Sequence, residues 1–321
     1  MKQTMIPVAL ISDDNFIMPT CVAITSLLRN KAADTFYDIF ILMAECQEES
    51  EKRIMMLNQP GCAIHLIRVS LEKYAGIKQL AHISRACLLK FDLCDLIPEY
   101  DKIVYLDGDV IIRGDLGTLY QVDLKGSYAA GVKEMESMLE DKGNVNAGIL
   151  VFNAKRIRDE NLSKTLRETR IAMGDRGSMD QQTFNIVTGK DYQYLPLRYN
   201  CVIGKLTGKQ RIPEYTPERI NHLYKTSYQT LDEVIDDALI CHFATGNKPW
   251  IYTFNPGAKE WYSYYLQSPY KDVPFELRGI WAYRMEKMKK AWKEQGLAGI
   301  FARVQDKLKR ILFKEKTESW E

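Results

Sequence analysis

The first hundred residues alternate between short apolar segments and longer amphipathic ones, and this alternation restricts the fold more than any other feature of the sequence. Apolar runs predict strands over residues 6–12, 36–43, 63–69 and 102–106. Helical spacing predicts helices over 17–28 and 84–96, the second with Ser84 as its N-cap and Pro98 just beyond its end. Such alternation is typical of βαβ units around a mainly parallel sheet. Further along the chain, we expect strands at 128–132, 149–152, 192–195 and 239–243, and helices at 155–173 and 179–187.

Two carboxylates flank one glycine directly after the fourth predicted strand, in the segment Asp107-Gly108-Asp109. In an extended segment, side chains two residues apart point the same way, so both carboxylates can reach one point. Gly108 lets another group come close to the backbone. Like charges held together repel unless a cation neutralises them, and hard divalent cations prefer oxygen ligands. Asp-Gly is also a common turn dipeptide, so the triplet alone leaves a metal site and a surface turn both open.

His242 lies in the apolar segment 239–243 and is followed by a loop that contains Gly246, Lys248, Pro249 and Trp250. A single histidine in an apolar strand is usually a core residue, but the loop favours a phosphate contact, with Lys248 as a point charge. An imidazole beside two carboxylates favours Mn²⁺, with Mg²⁺ as the alternative. The segments containing Asp13, Asp107 and His242 all lie at predicted strand ends, where open sheets of this type bind ligands.

Composition and charge are those of a soluble globular protein of 321 residues, with 46% apolar and 27% charged residues. No signal peptide or bilayer-spanning apolar stretch is visible. The seven cysteines form no Cys-x-x-Cys pair, which favours reduced thiols and a cytoplasmic protein. The net charge of +2 is uneven: residues 284–316 hold eleven Lys/Arg against four Asp/Glu, a net of +7, which leaves about −5 elsewhere. Because the basic excess is confined to the tail, we expect no nucleic-acid binding.

The basic tail predicts an amphipathic helix. Its apolar residues recur at helical spacing: Leu297, Ile300, Phe301, Val304, Leu308, Ile311 and Leu312. Such a helix can lie in an anionic membrane interface, and it can also dock on its own domain. We expect the former, which would place the protein peripherally on the cytoplasmic face of a membrane. The predicted organisation is therefore a main domain over 1–270 and an aromatic and basic helical tail over 271–321.

Several segments, in one order, resemble the family 8 glycosyltransferases, which include bacterial lipopolysaccharide galactosyl- and glucosyltransferases. They cover roughly residues 6–265. The matching segments are Ser12-Asp13-Asp14-Asn15-Phe16, His82-Ile83-Ser84 with Lys90, the strand ending in Asp107-Gly108-Asp109, 146–153, 180–185, and His242-Phe243 with Lys248-Pro249-Trp250.

The resemblance implies a GT-A-type fold, which is a Rossmann-like, mainly parallel sheet flanked by helices. It also implies a UDP-sugar donor, UDP-galactose or UDP-glucose, with Mn²⁺ and retention of the anomeric configuration. The acceptor would be a saccharide or a lipid-linked glycan, as in lipopolysaccharide biosynthesis.

By position, the resemblance makes Asp107, Asp109 and His242 the metal ligands. By the same resemblance, Asp13, Asn15 and Phe16 would hold uracil and ribose, Asn146, Ala147 and Gly148 would line the sugar, and Asp180 would bond its hydroxyls. Gln181 would lie near the anomeric carbon, and Lys248 would bind the diphosphate. The other implied donor-site residues are Ser12, Lys90, Gly108 and Gly246. The chain departs from the family in three places: Lys90 replaces an arginine, Gln182 an aspartate, and Thr245 a glycine, with Gly246 one place later.

The expected mechanism is a front-face displacement with Gln181 and Asp180 as the catalytic residues, Gln181 near the reacting carbon and Asp180 on the sugar hydroxyls. We see no well-placed carboxylate for a double displacement, and the amide of Gln181 is a poor nucleophile. A nucleotidyltransferase remains the alternative enzyme, although no Gly-x-x-x-x-Gly-Lys-Ser/Thr loop is present. A non-catalytic sugar-nucleotide-binding protein is the third interpretation, and it rests on the departures at Lys90 and Gln182.

Overall fold

The structure is a computed structural model, and it describes residues 3–44, 46–77, 84–134, 143–174, 176, 179–286, 288–289 and 293. The strands within these ranges are β1 Thr4–Ser12, β2 Thr35–Met43, β3 Cys62–Arg68, β4 Lys102–Leu106, β5 Val110–Ile112, β6 Ala129–Lys133, β7 Val145–Asn153, β8 Tyr192–Tyr194, β9 Cys201–Val202 and β10 Ile240–His242. The α-helices are α1 Ile17–Arg29, α2 Glu48–Met55, α3 Leu93–Leu96, α4 Gly117–Tyr120, α5 Ala154–Asp159, α6 Leu162–Met173, α7 Gln181–Val187, α8 Ile203–Leu206, α9 Pro217–Tyr224, α10 Leu231–Asp236 and α11 Ala258–Tyr265.

Seven of these strands form the main sheet, in the order β3-β2-β1-β4-β7-β6-β8. The pairs β1–β2, β1–β4, β2–β3 and β6–β8 are parallel. Only β7 runs against its neighbours β4 and β6. The predicted mainly parallel α/β sheet flanked by helices is therefore confirmed.

Both faces of the main sheet are buried. Alternate residues of β1 point to opposite faces, so Val8 and Leu10 join a core with α1, while Ala9 and Ile11 join a second core with Leu88 and its neighbours. Burial on both faces explains why these strands read as nearly continuous apolar runs.

The second sheet has three strands, in the order β5-β10-β9. Strand β10 pairs antiparallel with β5 and parallel with β9. We expected His242 at the end of a strand of the main sheet, and this was wrong. The segment after Asp109 forms β5, which pairs with β10 in the second sheet and so places His242 there.

Two predicted helices differ from the structure. The segment 84–96 is a 3₁₀-helix over Arg85–Phe91 followed by α3, and Ser84 does cap it, since its Oγ accepts the N–H of Ala86 at 3.1 Å. The segment 155–173 is divided into α5 and α6, because Asn161 adopts a left-handed conformation with φ 52°. Helix α2 escaped prediction because its sequence is mostly charged and gives little apolar periodicity.

Residues 280–286 are helical, whereas Leu297 to Leu312 of the predicted amphipathic tail lie outside the described residues. Within the described residues, we find no helix with both the length and the apolar character needed to cross a membrane. All seven cysteines are free, as predicted.

Candidate active site

Asp107, Asp109 and His242 converge where β4 and β10 end. Nε2 of His242 lies 3.7 Å from Oδ2 of Asp107 and 3.3 Å from Oδ1 of Asp109. One ligand atom from each residue falls within 4.8 Å of the other two. Asp109 and His242 are buried, while the Asp107 side chain is 32% exposed. Two oxygens and one imidazole nitrogen, open on one side, fit a divalent transition-metal ion.

Two glycines make this convergence sterically feasible. A Cβ at Gly148 would lie 2.3 Å from Cε1 of His242 and 2.8 Å from Oδ2 of Asp107, so only glycine leaves space for both side chains. A Cβ at Gly108 would lie 2.4 Å from Oγ1 of Thr20. The group that approaches the backbone at Gly108 is therefore Thr20 of α1.

Two lysines neutralise part of the carboxylate charge. Nζ of Lys248 lies 2.5 Å from Oδ2 of Asp109 and donates to the carbonyl of Phe243 at 2.8 Å. Nζ of the buried Lys90 is bonded to Asp180, lies 3.6 Å from Oδ1 of Asp107, and donates to the carbonyl of Ala147 at 2.8 Å. Burial alone would lower the pKa of Lys90, but the two carboxylates outweigh it and raise that pKa.

The surrounding charges and burial shift the pKa values of Asp107 and Asp109 in opposite directions. Burial and the neighbouring Asp109 charge raise the pKa of Asp107 above its usual range, against the opposing effect of Lys90. Burial also acts on Asp109, but Lys248 and His242 outweigh it and lower its pKa. We call Asp107, Asp109, Asp180, Lys90 and Lys248 the carboxylate cluster.

Gln181, on the first turn of α7, makes two hydrogen bonds through its side chain. Its Oε1 accepts the N–H of Ala147 at 3.1 Å, and its Nε2 donates to Oε2 of Glu134 at 2.8 Å. Glu134 also accepts bonds from Nδ2 of Asn146 at 2.9 Å and Nζ of Lys205 at 3.1 Å. Burial would raise the pKa of Glu134, but Lys205 and the amide donors lower it. We call Glu134, Lys205, Asn146 and Gln181 the Glu134 cluster.

The predicted nucleotide loop follows β1. Oδ1 of Asp13 accepts the N–H groups of Asn15 at 3.0 Å and Phe16 at 3.1 Å, which forms a tight turn. Ser12 is buried, and its hydroxyl donates to the carbonyl of Asp13. The ring of Phe16 packs edge-on against Trp250, with centroids 5.6 Å apart. Asn15 is exposed, and its role in nucleotide binding remains a prediction.

The loop after β10 places Lys248 near this nucleotide loop, since its Nζ lies 5.9 Å from the ring centroid of Phe16. Gly246 is exposed. Oγ1 of Thr245 is buried and has no hydrogen-bond partner among the described residues. His82 and Ile83, part of the matching segment before Lys90, lie outside the described residues.

Three side chains in or beside the site were not predicted from the sequence: Glu134, Asn200 and Lys205. Asn200 precedes β9, and its Oδ1 lies 2.8 Å from Nδ1 of His242. Glu134 follows β6 and Lys205 lies in α8. None of the three belongs to a short motif. The only signal in the sequence was their position next to strand-like segments.

A profile of glycosyl transferase family 8 matches residues 7–253 of this chain. The match covers well over half of the sequence and includes Asp107, Asp109 and His242. The chain therefore belongs to glycosyl transferase family 8.

Two curated relatives illustrate the similarity. Glycosyltransferase GlyF of Streptococcus pneumoniae is 25% identical over 260 residues, which is 80% of this chain but 60% of GlyF. Lipopolysaccharide 1,2-glucosyltransferase of Escherichia coli K12 is 24% identical over 319 residues, which covers 91% of this chain and 87% of the relative.

Among solved structures, the galactosyltransferase LgtC, in complex with donor and acceptor sugar analogues, superposes with a TM-score of 0.67. It is 21% identical, and the match covers 84% of this chain and 98% of LgtC. Glycosyltransferase GlyE of Streptococcus pneumoniae superposes with a TM-score of 0.60 at 24% identity, over 82% of this chain and 62% of GlyE. These neighbours share the GT-A-type fold.

Proposed function

We propose that the protein transfers galactose or glucose from a UDP-sugar to a saccharide or lipid-linked glycan, with retention of configuration. The convergence of Asp107, Asp109 and His242 beside Lys248 carries this proposal. It is supported by the family, by a relative named lipopolysaccharide 1,2-glucosyltransferase, and by a neighbour solved with sugar analogues.

We propose Mn²⁺ as the cation, with Mg²⁺ as the alternative, because one of the three ligands is an imidazole nitrogen. When bound, the ion would supply Lewis-acid stabilisation of charge on the departing diphosphate. Lys248 would bind the same phosphates through its ammonium group, which already lies within the site. UDP held in this way would not need a general acid to protonate it as it leaves.

The Glu134 cluster supports a front-face displacement, in which the acceptor hydroxyl attacks from the side of the leaving group. A double displacement needs a strong nucleophile. The Gln181 amide is a poor nucleophile and is hydrogen-bonded at both ends, and the bonds that Glu134 accepts from an ammonium group and two amides stabilise its carboxylate charge and so reduce its nucleophilicity. The family's carboxylate missing at Gln182 is thus not replaced by a reactive nucleophile from Glu134.

Membrane association through the tail is the second part of the proposal. In the described part of the tail, Trp281, Met285 and Met288 are exposed at helical spacing, and Trp281 is 72% exposed. The guanidinium of Arg284 lies 4.9 Å from the Trp281 ring centroid. A row of apolar side chains beside basic ones suits an anionic lipid surface.

A liposome flotation assay tests this part of the proposal. A chain ending at Glu286 keeps the hydrogen bond from Tyr252 to Glu286 and should lose most binding to anionic vesicles. The same chain with Trp281→Gln should bind still less. Unchanged flotation of both would exclude the tail as the anchor.

The main experiment is a screen of UDP-sugars for Mn²⁺-dependent release of UDP. Asp109→Asn and His242→Ala should each reduce transfer by roughly a thousandfold, since a metal supplies several kcal/mol of charge stabilisation. The matched controls are Asp101→Asn and His222→Ala, which lie outside the site. Wild-type rates in the two site variants would refute the metal site, and release of pyrophosphate in place of UDP would identify a nucleotidyltransferase.

A further inference from the structure

A continuous path of side-chain hydrogen bonds connects the Glu134 cluster to the metal ligand His242. Nδ2 of Asn146 donates to Oε2 of Glu134 at 2.9 Å, and Nδ2 of Asn200 donates to Oδ1 of Asn146 at 2.8 Å. Oδ1 of Asn200 then lies 2.8 Å from Nδ1 of His242. The path thus runs from the carboxylate of Glu134, just after β6, to the imidazole of His242 on β10 through two asparagines.

The polarity of this path is fixed at the Glu134 end. An ionised carboxylate only accepts hydrogen bonds, so Asn146 must present its NH₂ group to Glu134. The carbonyl oxygen of Asn146 is then turned away from Glu134, where it also accepts the backbone N–H of Gly148 at 3.0 Å. A backbone N–H is an obligatory donor, so both ends of the Asn146 amide are determined.

The same donor–acceptor argument applies to Asn200 and then to the imidazole of His242. Because the Asn146 oxygen faces Asn200, Asn200 must donate its NH₂ group to it and turn its oxygen to His242. Nδ1 of His242 must therefore carry the proton. Nε2 then presents its lone pair, on the side where it lies 3.3 Å from Asp109 and 3.7 Å from Asp107.

We propose that Asn200, oriented by Glu134 through Asn146, is a positioning residue that fixes the tautomer and ring orientation of His242 for metal binding. The inference rests on the metal site of the proposed function. Asn200 is 1% exposed and His242 is 2% exposed, so the ring has no ready access to water as a substitute acceptor. Outer partners of this kind typically contribute 10–100-fold to metal affinity.

The first test is the tautomer of His242 in the metal-free wild-type protein. Long-range ¹H–¹⁵N spectra of uniformly ¹⁵N-labelled protein at mildly alkaline pH distinguish the protonated ring nitrogen from the one with the lone pair. The chain has only four histidines, and His242→Gln assigns the signal. We expect the proton on Nδ1. A proton on Nε2 would overturn the proposal, whatever any variant does.

The second test is Mn²⁺ affinity, measured by isothermal titration calorimetry without nucleotide. Asn200→Leu removes the acceptor and should weaken Mn²⁺ binding by roughly 10–100-fold. Asn200→Asp retains an acceptor for Nδ1 and should recover most of the affinity. The control Asn30→Leu removes side-chain bonds to Ile112 and Tyr264, away from the site, and should leave Mn²⁺ binding unchanged.

The possible results separate this proposal from the proposed function. Wild-type Mn²⁺ affinity in a folded Asn200→Leu protein would overturn the positioning role. An equal loss of Mn²⁺ affinity in Asn200→Leu and Asn200→Asp would also overturn the positioning role, because the acceptor that Asn200→Asp retains would then have no effect. If the wild-type protein binds no Mn²⁺ or Mg²⁺, the proposed metal site fails, while the spectrum still decides whether the path fixes the tautomer.

Discussion

The carboxylate cluster and the Glu134 cluster both bond to the backbone of Ala147, yet they compensate their negative charge differently. The carboxylate cluster holds three carboxylates and two ammonium groups. The Glu134 cluster holds one carboxylate, which accepts bonds from Lys205, Asn146 and Gln181. Accordingly, the pKa of Asp107 is raised and that of Glu134 is lowered.

The difference separates a cluster whose charges fit the proposed cation from one whose charge is compensated by the protein's own donors. A buried carboxylate is costly unless donors or opposite charges compensate it. Glu134 has such compensation, so its ionised form stabilises the fold. Asp107 is held close to Asp109 at the expense of stability, which is the pattern expected where the geometry serves ligand binding.

The largest expected effect is on stability in the Glu134 cluster. Glu134→Gln removes the carboxylate that accepts a bond from Lys205, and we expect the free energy of unfolding to fall by about 3 kcal/mol, as when a buried ion pair is broken. Urea denaturation measures this. The control Glu160→Gln removes an exposed pair with Arg156 and should cost less than about 1 kcal/mol. Equal losses of unfolding free energy in the two variants would show that the bonds from Lys205, Asn146 and Gln181 do not stabilise the Glu134 carboxylate.

The two glycines give the next prediction. Gly148→Ala forces a Cβ against His242 and Asp107, and Mn²⁺ affinity should fall by roughly 10–100-fold, as when ligand geometry is disturbed. Gly108→Ala places its Cβ against Thr20, and should cost about 1–3 kcal/mol of stability with less effect on the metal. Calorimetry and thermal unfolding of both variants separate the two effects. Equal Mn²⁺ affinity in the two variants would contradict this division.

A smaller effect on the free energy of unfolding, of opposite sign, is expected at Asp107. Because burial and Asp109 raise its pKa, the fold disfavours its ionised form, and Asp107→Asn removes that penalty. The metal-free variant should be at least as stable as the wild-type protein at neutral pH, although it no longer binds Mn²⁺ well. A clear drop in its unfolding midpoint without metal would mean that Asp107 is a structural carboxylate like Glu134.

The smallest expected effect is the change in stability with pH in the acid range. The pKa of Glu134 is lower in the folded than in the unfolded protein, so its contribution to stability is present above its unfolded pKa of about 4.3 and is lost as pH falls. The stability difference between wild type and Glu134→Gln should therefore shrink on acidification. Urea denaturation at neutral and acidic pH measures it, and a constant difference would contradict the role of the Glu134 charge.

Local sequence was sufficient for eight of the ten strands in the described residues and for two of the three residues of the candidate metal site. β4 is found at its predicted bounds, and β1 and β2 differ only at their ends. Strands buried on both faces leave a continuous apolar signal in the sequence. Asp107 and Asp109 were predictable because two residues in one extended segment share a side whatever the rest of the chain does.

Tertiary structure decided the remainder, because it brings together segments that are distant in sequence. His242 was singled out from the sequence, but its place in a separate small sheet follows from the pairing of β10 with β5. Glu134 and Asn200 carry no motif, and they become part of the site only because β6 and β9 bring them beside Asn146 and His242. The sequence thus determined which carboxylates and which imidazole could bind a cation, and the packing of the two sheets decided how His242 reaches the carboxylates and which side chain holds it in place.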